Sequence, residues 1–472
     1  MTLPKSVREV EAKVRVGPDF DVAFGDFPEV SISAQHDPVI LHAVYHDTHD
    51  LRLIRWGVTL RRREGGKDAG WHMKLPIPGH DSRSRDELHL PLDAGPVGSV
   101  PAEFVHVIAP LIGDEQLIPL VDVETVRTAF DLVGRTGTGK VELVDDHVTI
   151  RRDGKVVDSF REIEIEACDS DDSAGLALVE EIARHLIERG GEASTVSKAA
   201  RALGPAVAHP PDVPDLPMPG KDALAIDAVR AILARHIRHL LMSDIAVRRE
   251  LPDSVHQMRV AARRLRSTLS TFGPVLDVEQ VGYLREELGW LARELGAIRD
   301  TEVLLERLVD SASNLDAEAA QAAVAAVTSH MERRMSAARS SVTAALRSDR
   351  HRELIEDLTA AVAQPPVTDG AYQPIAETFP PLMRKAWRRI QRDVRALEFD
   401  SPSSQWHEAR IQAKKARYAA EAMADIFGKR AGAFASALGD ITDILGSHQD
   451  AHVAQEALTA IAHECDGPTA FA

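Results

Sequence analysis

The segment Val255-His256-Gln257-Met258-Arg259-Val260-Ala261-Ala262-Arg263-Arg264-Leu265-Arg266 reads as a helix with two chemically distinct faces. At about 100° per residue, His256, Arg259, Arg263 and Arg266 share one arc, while Met258, Ala261, Leu265, Leu269 and Phe272 lie on a broadly opposed one. The basic frame, His256-x2-Arg259-x3-Arg263-Arg264-x-Arg266, returns about 150 residues later as His407-x2-Arg410-x3-Lys414-Lys415-x-Arg417. A second pair repeats at nearly the same offset: Leu295-Gly296-x3-Asp300-x2-Val303 and Leu445-Gly446-x3-Asp450-x2-Val453. Solvated arginines on a surface helix are the plain structural reading. It is weakened because few acids stand four residues from these bases and because the second copy keeps the spacing. The repeat predicts a pseudo-twofold helical bundle built around an extended anion.

Working outward, residues 222–472 stay rich in Ala, Leu, Arg and Glu with helical periodicity, and a break around Gln364–Pro380 separates repeats at 222–363 and 380–472. Upstream, residues 204–221 form a Pro-rich linker. Before that, residues 1–203 read mainly as strands, with VREVEAKVRV, VTLRRR and REIEIEA alternating, Glu64-Gly65-Gly66, Pro76-Ile77-Pro78-Gly79 and Asp153-Gly154 as turn signals, and helices near Ala102–Ile112 and Ala174–Arg189.

At 472 residues more than one domain is expected, and a net charge of −17 argues against a general nucleic-acid binder. That charge is uneven. Residues 1–220 hold 24 Lys and Arg against 38 Asp and Glu, and residues 221–472 hold 32 against 35. The second part gathers its bases into stripes, which are the candidate anion sites. Cys168 and Cys465 alone make no disulfide framework and suit a reducing compartment. With no signal-like apolar run and no stretch near the ~20 residues that span a bilayer, a cytoplasmic protein without a membrane partner is expected.

In a strand, residues two apart share a face. Glu9, Glu11 and Lys13 therefore point one way, as do Arg61 and Arg63, Arg85 and Glu87, and Glu162, Glu164 and Glu166. For one strand, a solvated face explains this. For several, closure into a barrel would line the lumen with acids that suit Mg2+ or Mn2+ and bases that suit phosphate.

Glu9-x-Glu11-x-Lys13, Tyr45-x-Asp47-Thr48, Gly57-Val58-Thr59-Leu60-Arg61-x-Arg63, Trp71-x2-Lys74-Leu75-Pro76, Arg85-x-Glu87, Arg127, Glu162-x-Glu164-x-Glu166 and Ser197-Lys198 follow one another in the order of the CYTH, or triphosphate tunnel metalloenzyme, family, which residues 1–203 resemble. The resemblance implies an eight-stranded antiparallel tunnel with flanking helices that binds a linear triphosphate. Lys13, Arg61, Arg63, Lys74, Arg85, Arg127 and Lys198 would grip phosphate oxygens, with Glu87 organising them. Glu9, Glu11, Asp146, Glu162 and Glu164 would hold Mg2+ or Mn2+, and Glu9, Glu11 and Lys13 would be the catalytic set. Asp145 also stands near the expected acidic position, and Asp146 is preferred because it shares the parity of Glu142. The implied chemistry is metal-assisted hydrolysis of a terminal phosphoryl group, with tripolyphosphate the simplest substrate and ATP or thiamine triphosphate the alternatives.

The repeated basic segments, with Leu295-Gly296-x2-Arg299-Asp300 and Tyr418, resemble the CHAD family, the conserved-histidine α-helical domain. That resemblance covers residues 222–472. It implies two helical bundles flanking a basic channel for inorganic polyphosphate, through His256, Arg259, Arg263, Arg264 and Arg266 and through His407, Arg410, Lys414, Lys415 and Arg417, with association with polyphosphate granules. Arg235, Arg238, Arg384, Lys385, Arg388, Arg389 and Arg392 are further candidates. A non-enzymatic polyphosphate-binding protein is the rival reading. Gly134-x4-Gly139-Lys140 resembles a phosphate loop but is followed by Val141 and sits in a strand-to-strand turn. His42, His46 and His49 lack zinc spacing and are expected at the surface.

Overall fold

The computed structural model describes residues 4–464 except 25–26, 28–29, 78–83, 97, 136, 153, 313–316 and 399, with side chains omitted at 299–300, through most of 302–330 and beyond 446. Cys465, Asp153, the Pro78-Gly79 turn, and the side chains of Arg299, Asp300, Val303, Gln449, Asp450 and Val453 lie outside the described residues. The chain divides into two units, Met1–Pro211 and Asp212–Ala472.

Alternation of apolar and charged residues builds the first unit. Its strands are β1 (Lys5–Val16), β2 (Val30–Gln35), β3 (Val39–Asp47), β4 (Thr59–Glu64), β5 (Gly70–Pro76), β6 (Ser84–Leu90), β7 (Ile118–Gly134), β8 (Lys140–Arg152), β9 (Lys155–Ala167) and β10 (Glu192–Ser194). Among the described residues, eight of them close an antiparallel barrel in the order β1-β6-β5-β4-β3-β7-β8-β9. β9 returns to β1 by pairing Glu11 with Glu166 and Lys13 with Glu164. β2 adds to β7 and β10 to β1, outside the ring.

The helices of this unit are α1 (Arg52–Arg55), α2 (Ala102–Ile112), α3 (Ser173–Glu188) and α4 (Lys198–Leu203). Val14, Val141, Leu143, Ile163 and Ile165 are buried beneath Leu178, Val179, Ile182 and Leu186 of α3. With the apolar parity committed to that outer layer, the opposite parity must face the lumen. The Asp47 carboxylate accepts the backbone N–H groups of Thr48, Leu53 and Ile54 at 2.7, 2.8 and 2.9 Å, which fixes the turn into α1. Just after α1, Gly57 has φ of 75°, a left-handed backbone that favours glycine, and its carbonyl accepts from Arg85 at 2.5 Å. Ser197 caps α4 and so aims Lys198 at the barrel. Gly134 and Lys140 bound a strand-to-strand hairpin, and no helix follows. The surface expectation fails for His46. It is buried, its Nδ1–H donates to Val44 O at 3.2 Å, and its ring packs tilted against Trp71 at 5.1 Å, because its strand position faces an apolar layer.

The second unit contains α5 (Ala225–Arg248), α6 (Ser254–Thr271), α7 (Val278–Ala312), α8 (Ala317–Leu346), α9 (Asp349–Ala363), α10 (Ile375–Arg395), α11 (Ser403–Phe427) and α12 (Lys429–Glu464). The run α5-α6-α7 returns as α10-α11-α12, and α8 and α9 stand outside the repeat. The pseudo-twofold is visible in reciprocal hydrogen bonds, Ala225 N to Gln373 O and Ile375 N to Ala223 O, each 2.9 Å. Met258, Ala261, Leu265, Leu269 and Phe272 are all buried, Phe272 against Phe379 at 4.7 Å. The second repeat begins at Ile375, earlier than its prolines suggest. Pro380 and Pro381 lie inside α10, where anchoring of Phe379 in the core offsets the backbone hydrogen bonds they remove. No described helix is long and apolar enough to cross a membrane.

Candidate functional site

The lumen of the barrel is a charge network. At one place Asp146, Glu162 and Glu164 bring carboxylate oxygens within 4.8 Å of one another. Asp146 pairs with Glu162 across β8 and β9, and Glu164 follows Glu162 on the same face. Lys198 Nζ lies among them, 2.9 Å from Asp146, 2.5 Å from Glu162 and 2.8 Å from Glu164. Arg127 grips Asp146 with two hydrogen bonds of 2.7 and 2.6 Å and reaches Glu164 at 2.9 Å. Lys13 joins from β1, 3.2 Å from Glu164 and 3.1 Å from Glu11. Burial opposes ionisation of Asp146 and Glu164. Lys198 and Arg127 at Asp146, and Lys13 and Lys198 at Glu164, overcome it and hold both carboxyls below their usual range. Burial wins at Glu162 and raises it.

A second cluster gathers Glu9, Glu11, Lys74, Glu87 and Glu166. Lys74 Nζ is 2.5 Å from Glu9 Oε2, in a direction that makes no hydrogen bond, and 4.0 Å from Glu11. Burial, against the pull of Lys74 and aided by Glu87, pushes Glu9 up to about 9. Despite burial, Glu87 is held well below its usual range by His72, Glu9 and Lys74. Glu9 and Glu87 titrate as an interacting pair, with burial and like charge pushing Glu9 up while hydrogen bonds and Lys74 hold Glu87 down. Arg61 stands 3.8 Å from Glu87 and donates to the Tyr45 hydroxyl at 3.4 Å. Arg63 is buried against Asp68. A cavity of about 670 Å3 opens beside Glu11, Lys13, Thr59, Lys74 and Arg85.

The five acids expected to hold metal are therefore not one cluster. Asp146, Glu162 and Glu164 converge, while Glu9 and Glu11 gather with Lys74. The triad fits a hard divalent cation. It offers oxygen donors only, and a lysine ammonium already sits among them, 2.5 Å from Glu162 Oε1. Asp145 turns outward and pairs with Arg161 at 2.8 Å. Glu166, Tyr45 and His72 complete the lining but were not among the expected site residues. His72 is buried, 3.0 Å from Glu87 through Nδ1. Its signal was parity, since it stands two residues before Lys74.

In the second unit each basic helix lays arginines over glycines of the next helix. Arg259 donates to Gly296 O at 3.3 Å. A Cβ on Gly289 would lie 3.5 Å from the Arg266 guanidinium carbon, and one on Gly439 3.7 Å from that of Arg417. Gly446 would bring a Cβ within 3.5 Å of Arg410. Arg264 and Arg417 both reach Glu421, at 3.2 and 2.8 Å, and Arg264 stands 5.8 Å over the Tyr418 ring. Lys415 and Arg266 lie near Arg285, and Lys415 also near Arg389. His256 is half-buried and His407 exposed. Arg285 and Arg293 flank Gly289 at helical spacing of four, a signal that could have marked them.

The CYTH domain profile matches residues 7–201, and the CHAD domain profile residues 231–459. The uncharacterized protein MT2285 of Mycobacterium tuberculosis is 32% identical over 443 residues, spanning 89% of this chain and 83% of that protein. This chain is a CYTH–CHAD protein. Among solved structures, the CHAD domain from the plant Ricinus communis is similar over 53% of this chain and 83% of its own, at 28% identity and a TM-score of 0.45. PptA from Streptomyces chartreusis is similar over 51% of this chain and 87% of its own, at 24% identity and a TM-score of 0.43. In this CYTH–CHAD protein the acidic triad and its lysine belong to the CYTH barrel, and the arginine–glycine seats belong to the CHAD repeat.

Proposed function

We propose that the CYTH barrel is a metal-dependent triphosphatase, with inorganic tripolyphosphate as its simplest substrate, and that the CHAD unit binds inorganic polyphosphate. The observation that carries the first reading is the triad of Asp146, Glu162 and Glu164 around Lys198, in a lumen that also gathers Lys13, Lys74, Arg61 and Arg127. Asp146, Glu162 and Glu164 would hold Mg2+ or Mn2+, which when bound neutralises phosphoryl oxygens and acidifies coordinated water. Arg61, Arg63, Arg85 and Arg127 offer forked donors, and Lys13, Lys74 and Lys198 point charges, to successive phosphates. Glu11 and Lys13 line the cavity beside Lys74, and Glu9 lies against Lys74, where an arriving metal ion would favour its ionised form. Orientation and neutralisation by these side chains supply most of the expected rate.

Incubation of the whole chain with tripolyphosphate and Mg2+ or Mn2+ tests the reading, with ATP, thiamine triphosphate and long-chain polyphosphate in parallel. Metal-dependent phosphate release is expected, lowered by at least about 100-fold in Glu162→Gln. No release from any substrate, with long-chain polyphosphate still bound, would support the rival binding-only role.

A further inference from the structure

The helical repeat pairs Arg264 with Lys415, Arg266 with Arg417, Ser270 with Glu421, Gly289 with Gly439, and Arg293 with Asp443. The two halves built from these pairs are chemically unlike. Around Arg417 stand the Glu421 carboxylate at 2.8 Å, the Thr442 hydroxyl at 3.1 Å and Asp443 at 3.8 Å. Glu421 also accepts from Arg264 of the other repeat at 3.2 Å, so one carboxylate bridges two arginines. At the pseudo-equivalent place, Ser270 replaces Glu421 and Arg293 replaces Asp443. There Arg266 has no carboxylate ion pair among the described residues, and it lies exposed over Gly289, close to Arg293.

A cavity of about 90 Å3 opens beside Ser270, lined also by Thr271, Lys385, Arg389, Gln412 and Lys415 among others. That is roughly the volume of three liquid waters, enough for one phosphoryl group. Arg266 is not in its wall but stands one helical turn before Ser270 and near Lys415. Burial and then the like charges of Arg285 and Arg293 lower Arg266. Burial and then Arg285, Arg389 and Arg266, against Glu408, lower Lys415. An anion entering here would relieve this repulsion, as Glu421 does in the other half.

We propose that the Ser270, Arg266 and Lys415 half-site is the primary phosphoryl-docking point of the CHAD unit, and that Glu421 is a built-in carboxylate that a polyphosphate chain must displace to reach the other half. This rests on the polyphosphate reading of that unit. Long chains then span both halves by exchanging Glu421 for phosphate, whereas the first contact is made at the Ser270 half.

The test is equilibrium binding of long-chain polyphosphate to the whole chain without divalent cations. Ser270→Glu, which installs a carboxylate in the docking half, is expected to weaken binding at least tenfold. Glu421→Gln is expected to tighten it at least threefold. The double variant Ser270→Glu with Glu421→Ser exchanges the halves and should return affinity to within threefold of the parent, which separates the proposal from damage to folding. Unchanged binding in Ser270→Glu, or weaker binding in Glu421→Gln, overturns the asymmetry while the polyphosphate reading stands. No binding by the parent chain at low salt overturns both.

Discussion

Glu166 shows at the residue scale what parity could and could not reveal. Its spacing from Glu162 and Glu164 put it on the lumen face, but its protonation depends on neighbours that only the closed barrel brings together. Burial, opposed by Lys74 and reinforced by Glu11 and Glu164, pushes Glu166 up from 4.5 to about 7. For an acid with a raised folded pKa, the folded state holds the proton more tightly. Its contribution favours folding below the unfolded pKa and is lost as pH rises from 4.5 to 7. Glu166→Gln should therefore leave stability unchanged near pH 4.5 and raise it near pH 8 by on the order of 1–3 kcal/mol. Thermal melts of both proteins at the two pH values check this, and equal melting points at pH 8 would refute the assignment. Parity also separated Asp146 from Asp145. It could not split Glu9 and Glu11 from the other three acids, because that depends on where around the ring each strand pair falls.

At the scale of elements, strands and helices with strong periodicity were legible. REIEIEA lies in β9 and Ala102–Ile112 is α2. The start of α10 was not, since Pro380 and Pro381 speak against a helix that the Phe379–Phe272 contact sustains. Nor did any local pattern announce the network that pins α5 to α9. Asp244 accepts from Arg248 and pairs with His351 Nε2, both at 2.6 Å, and all three are buried. The separation of Asp244 from His351 along the chain hides such a pair from spacing arguments. Arg248 also donates to Leu346 O at 2.6 Å, which ties the end of α8 to the same point. Removing the acid leaves a buried guanidinium and imidazole without their counter-charge. Asp244→Ala should cost about 3–5 kcal/mol, read as a lower urea midpoint. A midpoint within error of the parent would mean that water replaces the carboxylate.

For the whole molecule the governing quantity is charge at two ranges. The net charge of −17 repels a polyanion at a distance, whereas the second unit concentrates Arg266, Arg285, Arg293, Arg389 and Lys415 in one neighbourhood. A Debye length of about 10 Å at 0.1 M salt separates these effects: added salt screens the distant repulsion and also weakens the close contacts. Affinity for long-chain polyphosphate should fall with salt because each neutralised phosphate releases counterions. By analogy with flexible nucleic-acid strands, about five contacts give a slope of log affinity against log salt near −3.5. The loss should appear almost wholly as faster dissociation, with the association rate flat or slightly rising between about 50 and 300 mM salt, since screening removes repulsion on approach. Stopped-flow association and dissociation measured across that range decide the point. An association rate that drops steeply with salt would mean that attraction steers the encounter from afar. The basic track would then have to extend well beyond this neighbourhood, and Arg384, Arg388 and Arg392 of α10 are exposed cations that could extend it.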